Sequence, residues 1–222
     1  REGNSLAEGE IHGQNGGYPI AIALSNDAVK LAVSMININE GSVKSTIAFY
    51  NYGTVGQNEI DHCVGVNNYD DMVIPEMEFT SNDRMVAFGD TKAVIFEGAQ
   101  KPQAIAEIPM DEKTKSIFYN EHYIGIVTGN EDEAVTNHLA VYDENGKLVM
   151  EKDFGLDYSS IEFLTNNEIC IRNANVCDIY TVHGVYKFHH EFEEELFEII
   201  PGKLKLNYTL VLKDTTQRIR LK

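Results

Sequence analysis

A strand–turn–strand pattern recurs five times along the chain, and this repeat limits the possible folds more than any other sequence feature. Each copy has a short apolar strand, a polar turn rich in Ser, Asn, Asp, Glu or Gly, and a second apolar strand. The copies are IALSNDAVKLAVSMI, MEFTSNDRMVAFGD, SIFYNEHYIGIVTGN, SIEFLTNNEICIRNA and FEIIPGKLKLNYTLV, starting at Ile22, Met77, Ser116, Ser160 and Phe197. A unit of about 40 to 45 residues built on such a hairpin is typical of a four-stranded blade.

The segments after these hairpins read as the outer strands of the same units. They are Lys92–Glu97, His138–Phe154 and Cys177–Phe192. Two of them contain a tight turn, DENG or VHG, in which Gly146 or Gly184 can take positive φ at no steric cost. Continuous apolar runs such as KLAVSMI fit inner strands that stacked blades bury on both faces. We therefore predict an all-β β-propeller of four-stranded antiparallel, WD40-like blades, about five in this chain. The alternative is a β-sandwich with irregular hairpins.

The two ends of the chain leave two arrangements open. In one, five blades close on themselves and Ser5–Ile11 supplies the missing outer strand of the last blade. In the other, the chain is part of a larger propeller. Residues 1–16 then form the outer strand of a preceding blade plus a linker, and residues 17–222 form about five blades. An isolated open stack is not expected, because two bare blade faces exceed the apolar patch that a soluble monomer tolerates.

The charge balance excludes some partners. The formal net charge of −17 argues against nucleic acid and against an anionic membrane face, because both require a basic patch. No apolar run is long enough to span a bilayer, and no secretion signal is present, so we expect no direct membrane insertion by this chain. It begins with Arg1 rather than Met, which we interpret as a processed or partial product.

Four stretches of the sequence carry a family resemblance. GYPIAIALSNDAVKLAVSMI, STIAFYNYGTVGQN, FTSNDRMVAFGD and FYNEHYIGIV resemble the domain of unknown function 5711 family, most specifically at Gly17–Pro19 and Phe49–Asn58. The resemblance implies a propeller of Gram-positive bacteria, held at the extracellular face of the cell membrane by an N-terminal helix that this chain lacks. It favours the C-terminal part of a larger, seven- or eight-bladed propeller, with the missing N-terminal half of the protein as a partner. It implies no known activity.

The stretch FYNYGTVGQN, Phe49 to Asn58, is the one candidate ligand site. It has three aromatic residues, two glycines and no charge, in an acidic chain. It lacks the Lys and the following helix of a phosphate-binding loop, but tyrosine rings and amides suit a peptide or glycan. The alternative is a glycine-bent loop that packs against a neighbouring blade. The candidate ligand-binding residues are Tyr50, Tyr52, Gly53, Gly56, Gln57 and Asn58.

Metal and catalytic sites are not predicted. The acidic loops at Gly129–His138 and Tyr69–Asp71 lack calcium-site spacing, and the adjacent histidines in His189–Glu191 would face opposite sides of a strand. Four carboxylates lie near the inner turns, at Asp27, Asp83, Glu121 and Glu168, where turn chemistry alone accounts for them. We expect no cofactor, metal or catalytic residue, and a non-catalytic module that binds a protein, peptide or glycan. The alternative is an extracellular hydrolase or lyase acting on a glycan or lactone through carboxylates near a central channel.

The three cysteines are Cys63, Cys170 and Cys177. No Cys-x-x-Cys pair exists, which excludes zinc-ribbon and thioredoxin-like sites. If the loop between the two strands has an odd number of residues, strand alternation places Ile169, Ile171, Cys177 and Ile179 on one face, which leaves Cys170 on the other. We therefore expect Cys170 and Cys177 to be buried free thiols rather than a cross-strand disulfide.

Overall fold

A computed structural model describes residues 17–39, 41–53, 62–111, 113–129 and 136–221. In this part of the chain the secondary structure consists of 19 antiparallel β-strands, and no described helix is long and apolar enough to cross a membrane. The chain divides into two compact units, residues 1–112 and 113–222. The predicted all-β class is correct.

The first unit contains two four-stranded sheets in which consecutive strands are neighbours. Sheet A has β1 (Tyr18–Leu24), β2 (Lys30–Asn39), β3 (Ser42–Asn51) and β4 (Cys63–Asp70). Sheet B has β5 (Glu76–Ser81), β6 (Arg84–Phe88), β7 (Lys92–Glu97) and β8 (Gln103–Pro109).

The second unit contains three sheets with the same strand order. Sheet C has β9 (Thr114–Tyr119), β10 (Tyr123–Gly129), β11 (Asn137–Asp143) and β12 (Leu148–Phe154). Sheet D has β13 (Ser160–Phe163), β14 (Glu168–Arg172), β15 (Val176–Thr181) and β16 (Tyr186–Glu191). Sheet E has β17 (Leu196–Pro201), β18 (Asn207–Leu212) and β19 (Thr216–Arg220).

The predicted repeat is confirmed strand by strand. Each of the five predicted hairpins forms the first two strands of one sheet. The three predicted outer segments form β7, β11 with β12, and β15 with β16. Gly146 and Gly184 lie in the outer turns with φ of 76° each, as the turn chemistry predicted. The outer strand predicted at Ser5–Ile11, and all of residues 1–16, lie outside the described residues.

Neighbouring sheets within each unit pack through side chains of their central strands. In the first unit Phe49 of sheet A and Phe96 of sheet B meet with ring centroids 5.1 Å apart, and Met72 and Ile74 of the connecting segment are buried between the sheets. In the second unit, one apolar cluster joins sheets C and D and another joins D and E. Strands β6 and β14 are buried on both faces, which explains their continuous apolar sequence.

The cysteine faces correct one sequence expectation. Cys170 and Cys177 lie on the same face of sheet D, not on opposite faces, because the register pairs Ile171 with Asp178 and Cys170 with Ile179. Their Sγ atoms are 3.6 Å apart in the core between sheets D and E. Both are free and buried, as expected, whereas Cys63 is free and exposed.

Candidate functional site

Three of the six candidate ligand residues, Tyr50, Tyr52 and Gly53, lie in the described part of the chain. Tyr50 is near the end of β3, on the sheet face that also carries Val33 and Ala48. Tyr52 and Gly53 form the turn that follows β3. Gly56, Gln57 and Asn58 lie outside the described residues, so the description covers the first half of the predicted site.

An aromatic pair borders this turn. The rings of Tyr52 and His62 lie 4.7 Å apart, centroid to centroid, and are tilted by 37°. Tyr52 is half-buried and His62 is exposed, so part of the pair faces solvent. Aromatic faces with a polar tip are suited to ring-bearing polar ligands.

Packing accounts for two other residues of the stretch. Asn51 is buried, and its amide donates to the carbonyls of Ala99 and Gln100 at 3.4 and 3.2 Å. Its Oδ1 accepts from the Gly53 amide. A Cβ at Gly53 would lie 2.5 Å from Cγ1 of Val29, so a larger residue here requires the Val29 side chain to shift. The stretch thus contains both a structural corner, at Asn51 and Gly53, and an exposed aromatic pair.

The inner turns of sheets A and B bind one another. Asp27 accepts from Ser25 Oγ at 2.6 Å, and its backbone amide donates to Asn82 Oδ1 at 3.0 Å. The buried Lys30 donates to the Asn82 carbonyl at 2.8 Å and pairs with Asp83 at 2.7 Å. The hydrogen bond from Ser25 is the main cause that lowers the pKa of Asp27. The Asp83 carboxylate and the Asp27 backbone amide therefore connect the two sheets, whereas the Asp27 carboxylate is used within its own turn.

A related turn-to-turn contact joins sheets C and D. Asn120 Nδ2 donates to Asn167 Oδ1 at 2.8 Å, and Asn120 Oδ1 accepts from the amides of His122 and Tyr123. Glu121, in the same turn, is exposed. The Asn and Asp residues of the repeated turns thus perform two tasks, since they shape their own turn and also bind the next sheet.

The fourth carboxylate, Glu168, belongs to a buried cluster between sheets D and E. Its carboxylate accepts from Lys187 Nζ, and its Oε2 accepts from the hydroxyl of Tyr208 at 2.5 Å. Lys187 Nζ also lies 3.3 Å from the Tyr208 hydroxyl. Glu168 and Tyr208 are buried, and the Lys187 side chain is one-fifth exposed. Each of the three side chains therefore provides a hydrogen-bond partner for the other two.

Two members of this Glu168–Lys187–Tyr208 cluster, the lysine and the tyrosine, have a raised pKa. Burial, and then the hydrogen bond to Glu168, raise the pKa of Tyr208. Burial works against the charge of Lys187, but its hydrogen bonds to Glu168 and Tyr208 raise the pKa of its ammonium group overall. A neutral tyrosine and a charged lysine suit a permanent connection better than proton transfer at neutral pH.

The sequence analysis did not predict this cluster. Its members are far apart in the chain, since Tyr208 is 40 positions from Glu168 and 21 from Lys187. Glu168 was recognised only as a turn residue. The available signal was Lys187, a cation in the outer strand YKFHHE, but its partners depend on how two sheets pack. The sequence repeat does not specify that packing.

The predicted absence of metal sites remains a prediction. In the described ranges no group of three or more His, Cys, Asp or Glu side chains converges. His189 binds Asp178 at 2.7 Å, whereas the His190 ring contacts Phe192. Of the acidic loop Gly129–His138, residues 130–135 lie outside the described residues.

Residues 1–221 match a family described as Family of unknown function (DUF5711). The chain belongs to this family. No curated protein sequence matches the chain.

Solved structures with similar folds include the β-propeller domain of the Trilobed protease from Pyrococcus furiosus, which has an open velcro topology. It is 10% identical, has a TM-score of 0.51, and the match covers 91% of this chain and 70% of that one. A HIRA crystal structure is 12% identical with a TM-score of 0.48, and the match covers 77% of this chain and 54% of that one. The WD40 domain of Neurospora crassa Pan2 is 10% identical with a TM-score of 0.45, and the match covers 93% of this chain and 66% of that one. The chain therefore spans only part of these structures.

The likeness to the Pyrococcus propeller shows the fold alone, since the identity is low. Together with the strand order, it shows an all-β family member whose antiparallel, mostly four-stranded sheets correspond to propeller blades.

Proposed function

We propose that the chain is a non-catalytic part of a larger propeller that binds a protein, peptide or glycan at the bacterial cell surface. The observation that carries the binding role is the Tyr52–His62 ring pair, which is partly exposed. We assign ligand contact to Tyr50, Tyr52, Gly53, Gly56, Gln57 and Asn58.

The fate of the carboxylates supports a non-catalytic role. A glycan-cleaving enzyme requires two carboxyl groups about 5 to 9 Å apart, free to act on the substrate. In this chain the carboxylate of Asp83 pairs with Lys30 of the neighbouring sheet, and the carboxylate of Glu168 accepts from Tyr208 of the next sheet. The carboxylate of Asp27 accepts from Ser25 within its own turn. No described contact favours the alternative of a hydrolase or lyase.

The exposed face of β1 supports a larger propeller, to which the family resemblance assigns seven or eight blades. Tyr18, Ile22 and Leu24 are exposed by 75, 60 and 53%, although β1 is the first strand of its sheet. Soluble proteins rarely leave a row of apolar side chains uncovered. We propose that a preceding blade from the N-terminal half of the intact protein covers this face. An N-terminal membrane helix that displays the propeller outside the cell is part of the same proposal, supported by the family resemblance.

Ligand binding is tested by screening the chain against glycan and peptide arrays and then measuring the affinity of each hit. We expect Tyr52→Ala to weaken binding by up to about tenfold, since one lost aromatic contact costs about 0.5 to 1.5 kcal/mol. Tyr186→Ala, at an exposed tyrosine of the second unit, is the matched control and should leave affinity unchanged. Equal binding by Tyr52→Ala would refute this site. Turnover of an arrayed glycan would favour the alternative enzyme.

The larger propeller is tested by thiol labelling of Ile22→Cys. The new thiol should react fast in the 222-residue chain and slowly in a longer protein that includes the preceding blades. Lys44→Cys, on the same sheet and exposed, should react fast in both. Fast reaction of Ile22→Cys in the longer protein would show that no blade covers β1.

A further inference from the structure

Cys170 and Cys177 are two buried nucleophiles in one core. Cys170 lies on β14 and Cys177 on β15, and both side chains belong to the apolar cluster between sheets D and E. Both thiols are free, and neither residue has any exposed surface. Two neighbouring thiols differ chemically from one, because a pair can be oxidised to an intramolecular disulfide.

The register of sheet D brings these two thiols into contact. Cys170 faces Ile179 across the β14–β15 pair and Cys177 faces Arg172, so the cysteines are diagonal neighbours on one face. Their Sγ atoms are 3.6 Å apart. A disulfide has an S–S distance of about 2.05 Å, so the two sulfurs have to approach by about 1.5 Å, which rotation about χ1 at both cysteines and a local adjustment of the strands can supply. The register also removes the reason for excluding a disulfide, which was the expected location of the cysteines on opposite faces.

The closed core prevents this oxidation. Thiol–disulfide exchange begins when a thiolate attacks the oxidant. The hydrogen bond to Cys177, and then burial, raise the pKa of the Cys170 thiol. Ile179, Tyr208 and Leu210, which surround the pair, are themselves buried, and close packing of this kind has no space for an oxidant molecule. Oxidation of the pair therefore requires the core to open.

We propose that Cys170 and Cys177 form a redox-sensitive cross-link, which closes to a disulfide when the core between sheets D and E opens in the presence of a disulfide oxidant. One cysteine thiolate attacks the oxidant, forms a mixed disulfide with it and releases one reduced thiol. The second cysteine thiolate then attacks the Sγ of the first and releases the other thiol. The two cysteines lose two electrons and two protons, and the disulfide of the oxidant accepts them to become two thiols.

The cross-link joins β14 to β15 beside the Glu168–Lys187–Tyr208 cluster, since Glu168 lies two residues before Cys170 on β14 and therefore on the same face. A disulfide restricts the unfolded chain and in this way stabilises the folded one, so the oxidised chain should need more urea to unfold. The surface location proposed above exposes a folding chain to such oxidants. Closure of the pair depends neither on that location nor on ligand binding at Tyr52.

The test uses the 222-residue chain with Cys63→Ser, which removes the exposed thiol. One reduced sample stays folded, and a second is opened in urea and then returned to buffer, both in a mixture of oxidised and reduced glutathione. After removal of glutathione, all remaining thiols are alkylated in urea and the mass of each product is measured. We expect the opened sample to lose two hydrogen atoms and gain no alkyl group. The folded sample should keep both thiols and gain two alkyl groups.

Cys63→Ser/Cys177→Ser is the matched control, because its Cys170 has no partner and should gain either glutathione or an alkyl group. The oxidised Cys63→Ser chain should also unfold at a higher urea concentration than the same chain after reduction with dithiothreitol. Absence of the cross-link in the opened sample would overturn the proposal, as would equal cross-linking in the folded sample. A lower urea midpoint for the oxidised chain would overturn it as well, because the disulfide would then not fit the observed sheet.

Discussion

Two sheet-to-sheet contacts, one in each unit, use polar groups in different ways to join neighbouring sheets. Sheets A and B are joined at their inner turns, where Lys30 reaches Asn82 and the half-exposed Asp83. Sheets D and E are joined by Glu168, Lys187 and Tyr208, which are largely withdrawn from water. The first contact uses turn residues and backbone atoms, and the second uses side chains from three strands.

Solvent exposure, more than the number of hydrogen bonds, sets the free-energy cost of losing a partner in these two contacts. A charged group left at the surface is resolvated, whereas one left in the interior is not. Exposure also separates the contacts that can be predicted from sequence from those that cannot. Exposed turns follow local sequence rules, whereas buried clusters depend on how the sheets pack.

The largest effect is expected for Glu168→Gln, which leaves the Lys187 charge without its carboxylate. Breaking a largely buried pair should lower the free energy of unfolding by about 3 kcal/mol, measured by urea denaturation. Glu198→Gln, at an exposed carboxyl of sheet E, should change it by less than about 0.5 kcal/mol. Addition of Lys187→Met to Glu168→Gln should recover part of the loss. Equal stability of the Glu168→Gln and Glu198→Gln variants would contradict the distinction between buried and exposed contacts.

Lys30→Met should have an intermediate effect. It retains most of the buried stem but removes the hydrogen bond to Asn82 and the pair with Asp83, which is 54% exposed. We expect a loss of about 1 to 1.5 kcal/mol in the free energy of unfolding. The control is Lys44→Met at an exposed pair with Asp70, where the loss should stay below about 0.5 kcal/mol. A Lys30→Met loss as large as that of Glu168→Gln would show that exposure does not separate the two contacts.

A smaller effect is expected in alkaline solution. The pKa values of Tyr208 and Lys187 are both raised from their ordinary 10.0 and 10.5. A raised pKa in the folded state stabilises the protein below the unfolded value, and this stabilisation disappears as pH rises through the folded value. Unfolding free energy should therefore fall above about pH 10. Tyr208→Phe should reduce that slope by less than one proton, measured by urea denaturation at stepped pH. An unchanged slope would exclude Tyr208 as a contributor.

The smallest effect is expected at Asp27, which is fully exposed. Its pKa lies below the ordinary 3.8, mainly through the Ser25 hydrogen bond. A lowered pKa stabilises the fold above pH 3.8, and the contribution is lost as pH falls through the folded value. Ser25→Ala should return the pKa of Asp27 toward 3.8, as measured by NMR titration of its carboxyl group. A pKa that stays low in Ser25→Ala would assign the shift to Val29 or Lys30 instead.

The fold was predictable because its information is local. The repeated turns, the apolar runs of β6 and β14 and the glycines at 146 and 184 each specify their own segment. The Cys170 face was predicted wrongly because a change of one residue in the register moves a side chain to the other face, and the sequence did not fix the register of β15. The Glu168 cluster and the partner of Asn51 depend on packing between sheets, which one sequence does not display. Ligand contact by Tyr50, Tyr52, Gly53, Gly56, Gln57 and Asn58 stays a prediction.

The three cysteines allow a single reagent to time events in both units without any added label. Cys63 is exposed on β4 of the first unit, so it should be alkylated at once and provide an internal standard for complete mixing. Cys170 and Cys177, fully buried between sheets D and E, become accessible only when that core opens. The delay between alkylation of Cys63 and alkylation of the two buried cysteines then measures the rate at which the second unit opens. Under rapid-labelling conditions the buried pair should gain both increments together if the core opens as one cooperative event.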